Sequence, residues 1–318
     1  MLKMDLYIHS LAAVSPEAAP VLPVNRLLMQ EPDYTGIIPP MQLRRMSKAV
    51  RTGIWASQQC LSGAGIDRPD AIITGTGFGC LQDTEVFLKK IIEQDEHLLT
   101  PTAFIQSTHN TVAGQIALLK GCTGYNLTLS QGGHSFENAL LAAQLYLAEN
   151  PGHTVLAGGV DELTDTSLYL QQRLGVYVQE AIAPARLLEG SRPGTLAGEG
   201  AAFFTLSGNP AGASMRITGL QLFVAGEAEE QLPGLIQAIG GGPDFILGES
   251  GDAASQPSYD ALRTAFPQAR YHTFKAHCGD YPTAVSYGLA RAVDNGATET
   301  VLINHWCDCW SVIRLETV

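Results

Sequence analysis

The feature that most restricts the fold is an order of apolar strands and amphipathic helices that occurs twice along the chain. In the first half, strands are predicted at 5–9, 71–75, 126–130, 154–158 and 200–206, and helices at 40–63, 83–92, 111–119 and 135–147. In the second half, strands are predicted at 215–224, 245–247, 271–274, 300–304 and 311–316, and helices at 229–239, 257–266 and 281–294. Two β-α-β-α-β-α-β-β units predict an α/β protein whose two buried sheets pack back to back around central helices.

The boundary between the two halves follows from the same pattern. Residues 161–194 are irregular and are interrupted by Pro184 and Pro193, but they are too apolar for a solvated linker. We therefore predict an N-terminal half over 1–207, with a cap or insertion at about 161–194. A shorter C-terminal half over 208–318 completes the chain.

The charge balance limits the classes of partner. The chain has 318 residues, with 19 Lys and Arg against 31 Asp and Glu, and a formal net charge of −12. Such an acidic chain is poorly suited to binding nucleic acid or an anionic membrane. The opening segment is broken by polar residues, unlike a signal peptide, and no apolar run reaches the length of a membrane span. We expect a cytoplasmic protein.

The cysteines do not form a metal-binding pattern. The six are Cys60, Cys80, Cys122, Cys278, Cys307 and Cys309. No pair has the Cys-x-x-Cys spacing of zinc sites, although Cys278, His277 and Asp280 could approach the last two in the fold. Reduced thiols are the expectation in an intracellular chain. We predict neither a metal nor another cofactor.

A nucleophile-type turn without a nucleophile lies at residues 127–143, LTLSQGGHSFENALLAA. A strand runs into two glycines, and an alanine-rich helix follows at once. Many enzymes present a nucleophile on such a turn, at the carboxyl end of a strand and beside a helix N-terminus. The turn here reads Ser-Gln-Gly-Gly-His and contains no cysteine.

Strings along the chain resemble segments of β-ketoacyl synthases in the same order. IHSLAAVSP is similar to their opening strand, LRRMSKAVRTGIWASQQCLSGAGI to their first long helix, and AIITGTGFGCLQDTEVFLKKI to the next strand, glycine turn and helix. PTAFIQSTHNTVAGQIALLKGCTGYNLTLS resembles the segment before the nucleophile, and TVLAGGVDELTD the strand with Gly-Gly-x-(Asp/Glu). YHTFKAHCGDYPTAV and INHWCDCWSVIRL match the C-terminal motifs more weakly. The resemblance implies the thiolase-like fold, a layered α-β-α-β-α architecture.

The resemblance also implies that the catalytic residues are missing. In that family a cysteine carries the acyl group as a thioester, and two histidines stabilise the charge that develops as malonyl thioester loses carbon dioxide. A gap-free count places the family's cysteine on Gly133. The second histidine falls on Asp280, and the first maps near Glu249. Of the family's polar set only Lys275 is kept, and residues 306–310 replace the glycine-rich loop that helps to form the oxyanion hole.

Three alternatives would restore some chemistry. Gln131 could occupy the nucleophile site, because chain-length factors of this family carry glutamine there, but an unsupported gap would be needed. His134 could act as a base, although a histidine in the first turn of a helix is more often a capping or packing residue. Cys278 or Cys309 could be a relocated nucleophile, whereas buried thiols are usually inert.

The resemblance implies a dimer in which the strand at 125–130 pairs with its two-fold mate. Residues just before the family's conserved asparagine, here Asn110, line the acyl tunnel near that interface, and the matching positions are Ser107, Thr108 and His109. Gln131 and His134 are further candidates for this tunnel and interface region. Side-chain bulk there would limit chain length by steric exclusion.

The function that follows is a non-catalytic, chain-length-factor-like subunit that forms a heterodimer with an active ketosynthase. It would contact acyl carrier protein mainly through that partner. The resemblance is strongest to such proteins of aryl polyene and flexirubin-type pigment pathways. One alternative is an acyltransferase or malonyl decarboxylase that uses a displaced residue such as Cys278. Another is a homodimeric acyl-binding protein with no catalytic partner.

Overall fold

A computed structural model describes residues 1–16, 22–224, 226, 228–239 and 244–318. The strands are β1 Leu2–Val14, β2 Arg26–Leu27, β3 Ala71–Gly75, β4 Tyr125–Leu129, β5 Thr154–Asp161, β6 Ala197–Gly198, β7 Gly200–Ser207, β8 Met215–Val224, β9 Asp244–Leu247, β10 Arg270–Thr273, β11 Glu299–Trp306 and β12 Cys309–Thr317. The helices are α1 Pro40–Leu43, α2 Lys48–Gly63, α3 Leu81–Glu93, α4 Pro101–Gln106, α5 Thr111–Lys120, α6 Ser135–Glu149, α7 Asp165–Arg173, α8 Ala228–Ile239, α9 Gln256–Ala265, α10 Lys275–Cys278 and α11 Ala284–Asp294. Short 3₁₀ turns lie at Gly132–His134 and Pro184–Arg186.

The duplicated architecture is confirmed by the strand order. The N-terminal half has the order β4-β3-β5-β7-β1, and the C-terminal half has the order β10-β9-β11-β12-β8. If the five strands that each half contributes to this sheet are numbered in chain order, both strand orders read 3-2-4-5-1. In one detail the structure differs from the expectation of two separate sheets. Strands β1 and β8 pair antiparallel, with Tyr7 opposite Arg216, and join the halves into one ten-stranded sheet.

Two helices form the central layer between the halves. The buried side chains of α6 and α11 pack in one core with β3, β8 and β11, and include Phe136, Leu140, Val285 and Leu289. Burial of such large apolar side chains is the main stabilising term for this layer. The close approach of α6 requires Gly75 at the end of β3, because a Cβ there would lie 2.5 Å from the Ser135 carbonyl.

The outer layers complete the predicted α-β-α-β-α arrangement. Helices α2 and α5 cover the N-terminal half through residues such as Ile54 and Ile116. Helices α8 and α9 cover the C-terminal half through Leu232, Ile236 and Leu262. Among the described residues, no helix has the length and hydrophobicity needed to cross a membrane.

The single helix predicted over 40–63 is two helices in the structure. Ser47 adopts an extended conformation (ψ 167°) and begins α2. The buried carboxylate of Glu162 accepts hydrogen bonds from the N–H groups of Ala49 (2.9 Å) and Gln82 (2.9 Å), in the first turns of α2 and α3. A residue more than one hundred positions away therefore helps to fix where α2 begins, and local periodicity cannot reveal it.

The segment predicted as an irregular cap contains a helix, α7. Its start is a capping box, in which the Thr164 side chain accepts a hydrogen bond from the Ser167 N–H and the Ser167 hydroxyl accepts one from the Thr164 N–H. This helix was missed because its apolar spacing is weak. Several of its side chains, including Tyr169 and Leu170, are exposed.

Candidate functional site

The predicted strand-turn-helix is present, and a serine holds it. Strand β4 ends at Leu129, Gly132–His134 form a 3₁₀ turn, and α6 begins at Ser135. The Ser135 hydroxyl donates a hydrogen bond to the Gly132 carbonyl (2.7 Å) and accepts one from the Gln131 N–H (2.9 Å). The turn is therefore a preformed, tightly bent connection at the N-terminus of α6.

The side-chain space at Gly133 is occupied by another part of the chain. A Cβ at this position would lie 2.8 Å from the Cβ of Cys309 and 3.1 Å from the Trp306 carbonyl oxygen. Gly133 itself is buried. A side chain can be added here only if the hairpin between β11 and β12 moves.

That hairpin covers the turn from the C-terminal half. Trp306 packs edge-on against Phe78 with ring centroids 5.7 Å apart. Cys307, at the tip, has a left-handed backbone with φ 51°, which is unfavourable for a residue other than glycine. His134 Nε2 lies 3.0 Å from the Trp310 carbonyl oxygen, and burial lowers the pKa of His134. The His134 ring therefore contacts the backbone of β12.

Asp280 forms a buried ion pair with Lys275. Lys275 Nζ lies 2.8 Å from Asp280 Oδ1, and both side chains are almost wholly buried. Lys275 also donates to the His305 carbonyl oxygen. Burial raises the pKa of Asp280 to about 6, although Lys275 acts in the opposite direction.

The Glu249 carboxylate makes its polar contacts with α9. It accepts hydrogen bonds from Arg263 on α9 at 2.9 and 2.5 Å, and from Gln256 at 2.8 Å. The side chain is buried, but its charge is neutralised by the two parallel hydrogen bonds from the Arg263 guanidinium. Glu249 therefore connects the end of β9 to α9.

A cavity of about 250 Å³ opens beside Asp280. Its walls include Asp252, Asp280, His305, Trp306, Cys307 and Asp308. Burial and the nearby Lys275 lower the pKa of His305 to about 3, so its ring is neutral at physiological pH. The cavity is lined by carboxylates and by no lysine or arginine, and it therefore disfavours an anionic group such as a malonyl carboxylate.

The candidate tunnel residues Ser107, Thr108, His109 and Asn110 lie together between α4 and α5. The Thr108 hydroxyl donates to the Ile105 carbonyl (3.0 Å) and lies 2.9 Å from Asn110 Oδ1. His109 is exposed. Gln131, on the neighbouring turn, is exposed as well.

A glycine turn at residues 76–79 lies between the tunnel candidates and the nucleophile turn. A Cβ at Gly79 would lie 2.9 Å from the His109 ring, and one at Gly77 would lie 3.4 Å from the Gly132 carbonyl oxygen. The structure therefore brings the tunnel candidates to one side of this turn and the nucleophile turn to the other.

Asp161 holds the glycine turn, and sequence reasoning did not assign it this role. Its Oδ1 accepts hydrogen bonds from the Thr76 hydroxyl (2.9 Å) and the Gly77 N–H (2.9 Å), and Oδ2 accepts from the Thr283 hydroxyl (2.8 Å). Burial raises the pKa of Asp161 to about 6. The acidic residue of Gly-Gly-Val-Asp, at the carboxyl end of β5, was the signal that could have identified it.

Several apolar side chains of the N-terminal half are exposed, and no residue that the structure describes covers them. Strand β4 is the last strand of the sheet, and Tyr125 is half-exposed. Helix α3 has no buried residue. The exposed apolar side chains on and around these elements are Val86, Leu88, Ile92, Leu98, Phe104, Ile105, Leu118 and Leu145. We call this set the apolar face.

Burial makes Cys278 a poor nucleophile. The residue is fully buried, its thiol donates to the Gly279 carbonyl oxygen (3.1 Å), and burial raises its pKa well above the usual range. Cys309 is partly buried against Gly133, and burial raises its pKa too. Cys307 is the one exposed residue among the six cysteines, but partial burial of its thiol and the nearby Asp280 carboxylate raise the thiol pKa to about 12.

Comparison with known proteins gives one family and one fold. The family described as β-ketoacyl synthase, N-terminal domain, matches residues 23–210. No significant match is found among curated protein sequences. A β-ketoacyl synthase from Burkholderia phymatum STM815 superposes with a TM-score of 0.77 at 16% identity, over all of both chains.

Two further solved structures are similar over nearly their whole length. The ishigamide ketosynthase/chain length factor has a TM-score of 0.78 at 14% identity, over 99% of each chain. A chain from a type II PKS acyl-carrier protein in complex with its ketosynthase bound to the hexaketide (AntDE:AntF) has a TM-score of 0.74 at 14% identity, over all of both chains. At such identities the likeness establishes the thiolase-like fold alone.

Proposed function

Because the chain belongs to the β-ketoacyl synthase family and yet has no space for a side chain at Gly133, we propose that it is a non-catalytic, chain-length-factor-like subunit. It forms a heterodimer with an active β-ketoacyl synthase and shapes that partner's acyl tunnel. The observation that carries this proposal is the occupied position at Gly133, where a Cβ would lie 2.8 Å from Cys309.

The chemistry of condensation supports a non-catalytic role. Acyl transfer needs a thiol at the turn, and glycine provides no nucleophile. Decarboxylation then needs neutral or positive hydrogen-bond donors that stabilise a developing negative charge. Asp280 is a carboxylate at the position assigned to the second histidine, and Glu249 is engaged by Arg263. Each of the three assigned positions thus lacks the group that its step requires.

The alternative of a displaced nucleophile has less support. Cys278 would have to become accessible to substrate from a fully buried position. Its thiol would also have to ionise, although burial raises its pKa. A malonyl decarboxylase would have to accept a carboxylate into a cavity lined by Asp252, Asp280 and Asp308. Burial of the thiol and the carboxylates of the cavity oppose these steps, and the nearby Lys275 is already paired with Asp280.

The free sheet edge supports a partner of the same fold. Strand β4 pairs with β3 on one side, and its other edge faces no strand of the described chain. A partner can pair with such an edge and continue the sheet. The apolar face around β4 would be buried in the same contact, and an exposed apolar surface of this kind is typical of an interaction site.

The placement of the tunnel candidates fits this assembly. Ser107, Thr108, His109 and Asn110 lie beside the apolar face, with Gln131 on the adjoining turn. At a heterodimer interface their side chains would narrow or widen the partner's acyl tunnel. One structural relative is itself described as a ketosynthase/chain length factor, and another as a ketosynthase in complex with an acyl-carrier protein. We propose that acyl carrier protein is engaged mainly through the partner.

The pathway is proposed from the resemblance of the sequence. Chain-length-factor-like proteins of aryl polyene and flexirubin-type pathways lack the same catalytic residues, and we propose a polyene or polyketide product of that class. Steric control of length needs no chemistry in this subunit, only a wall of fixed shape.

Reconstitution tests the proposal. The chain is purified alone and also co-expressed with the ketosynthase encoded nearest to it, and each preparation receives acyl and malonyl carrier-protein substrates. We expect condensation by the complex and none by the chain alone. Condensation by the chain alone would refute the proposal, whereas covalent acylation that is lost in Cys278→Ala would establish the displaced-nucleophile alternative.

A further inference from the structure

The turn between α3 and α4 combines an unusual backbone with an exposed apolar side chain. Four non-glycine residues among those described have positive φ, and three of them are Asp95 (43°), Glu96 (63°) and Leu98 (54°). Local hydrogen bonds, such as Glu96 N–H to the Ile91 carbonyl (3.0 Å), hold this conformation. Such a backbone is unfavourable for side chains other than glycine, and it tends to persist where it has a function.

The conformation places Leu98 in solvent. Its exposed fraction is 94%, and that of Ile92, at the other end of the turn, is 77%. Phe87 and Phe104 pack against each other with centroids 5.6 Å apart and form the base of the turn on α3 and α4. Leu98 thus projects from a supported base and makes little contact with its own chain.

The charge at the turn is net negative, with Glu93, Asp95 and Glu96 against Lys89 and Lys90 at the end of α3. Glu93, Asp95 and Glu96 are exposed at the turn. Glu93 lies 3.6 Å from Lys89, but neither Asp95 nor Glu96 forms an ion pair with any residue that the structure describes. An apolar tip beside uncompensated carboxylates is complementary to an apolar recess that is bordered by lysine or arginine.

We propose that residues 95–98 form the anchor by which this subunit selects its partner, with Leu98 entering a basic-rimmed apolar recess on the ketosynthase. This inference rests on the proposed function, in which the partner is an active ketosynthase. A second copy of the chain is the less suitable occupant. Both copies would bring an acidic turn and a net charge of −12 to the contact, and like charges oppose association.

The test separates the apolar tip from its charges. Leu98→Asp removes the apolar anchor, and the double variant Asp95→Lys/Glu96→Lys reverses the charge. Val318→Asp is the matched control, because Val318 is 58% exposed at the end of the C-terminal half. Each variant is titrated against the co-purifying ketosynthase, and thermal unfolding of the free chain reports on folding.

We expect Leu98→Asp and the charge reversal each to weaken the complex at least tenfold, with no change in the melting temperature. Val318→Asp should bind as the native chain does, and the native affinity should fall as salt is raised because exposed charges are screened. Full affinity in Leu98→Asp would overturn the anchor. If Leu98→Asp keeps full affinity but a variant with a disrupted β4 edge loses the complex, the anchor is refuted and the proposed heterodimer is retained. If the native chain captures no ketosynthase, or if Leu98→Asp converts a stable homodimer to a monomer, the partner assigned here is wrong.

Discussion

At the scale of single residues, Gly133 determines what the turn can do. A cysteine at this position would place its Cβ 2.8 Å from Cys309 and 3.2 Å from the Trp306 Cβ. We expect Gly133→Cys to destabilise the fold by about 1–3 kcal/mol, as overpacked cores usually do. We also expect it to remain unacylated in the presence of an acyl thioester. Thermal unfolding and intact mass measure the two effects.

A matched glycine gives the control for this prediction. Gly114, in the middle of α5, has open space around its Cβ position and an ordinary helical backbone. Gly114→Ala should therefore stabilise the chain by roughly 0.5–1 kcal/mol. Gly133→Cys/Cys309→Gly should recover part of the lost stability. Acylation of the single variant Gly133→Cys would mean that the hairpin moves freely and that the site is only dormant.

A second prediction at this scale concerns Glu137, in the first turn of α6. Burial raises its pKa to about 7, although the nearby Ser311 hydroxyl acts in the opposite direction. The folded state binds the Glu137 proton more tightly than the unfolded state does. Protonation therefore adds to the free energy of unfolding, and this contribution is complete below about pH 4.5. It is lost as the pH rises to about 7, and the total is about 3 kcal/mol.

Glu137→Gln keeps the shape of the side chain without the charge. This variant should be more stable than the native chain at pH 8, by up to about 3 kcal/mol, and should match it near pH 4.5. Denaturant unfolding across this range measures the difference. Asp161, Glu162 and Asp280 are also buried with raised pKa values, but they contribute equally to both proteins. Parallel stability curves would show that Glu137 is charged or solvated in the folded state.

At the scale of elements, the sequence predicted what local periodicity encodes. The ten main strands and the turn at Gly132–His134 follow from apolar runs and glycine positions. The start of α2 depends instead on the distant Glu162 carboxylate, and α7 starts from a capping box within a segment of weak pattern. The site shows the same division. Asp280 was assigned to the site from motif spacing, but the obstruction of Gly133 by Cys309 is a tertiary contact with no local signal.

The free edge of β4 yields a prediction at the same scale. In a strand, alternate N–H groups point to opposite edges, and proline removes an N–H. Of the adjacent variants Leu127→Pro and Thr128→Pro, one must remove a hydrogen bond to β3 and the other an N–H on the free edge. We expect the variant with a native-like melting temperature to lose the ketosynthase complex by size-exclusion chromatography. Retention of the complex by both folded variants would show that β4 is not the pairing edge.

At the scale of the whole molecule, the two halves of the chain have different tasks. The C-terminal half supplies the hairpin that fills the nucleophile turn, while the N-terminal half carries the apolar face and the candidate tunnel residues. In the proposed assembly, replacement of the reactive groups would leave the dimer surface intact, because the nucleophile turn and the tunnel candidates lie on different sides of the turn at residues 76–79. If the proposed function is right, this subunit affects the product only through the space that it leaves in its partner's tunnel.

That division predicts a change in product length without a change in chemistry. His109→Trp adds bulk at an exposed position beside the apolar face, and we expect the reconstituted complex to make products shorter by one or more two-carbon units. The matched control is His272→Trp, on β10 at the opposite edge of the sheet. Mass spectrometry of the products should show a shift for His109→Trp only, with a similar turnover for both complexes. An unchanged product from an intact His109→Trp complex would mean that this residue does not line the tunnel, and the control of chain length would then have to lie in the partner itself.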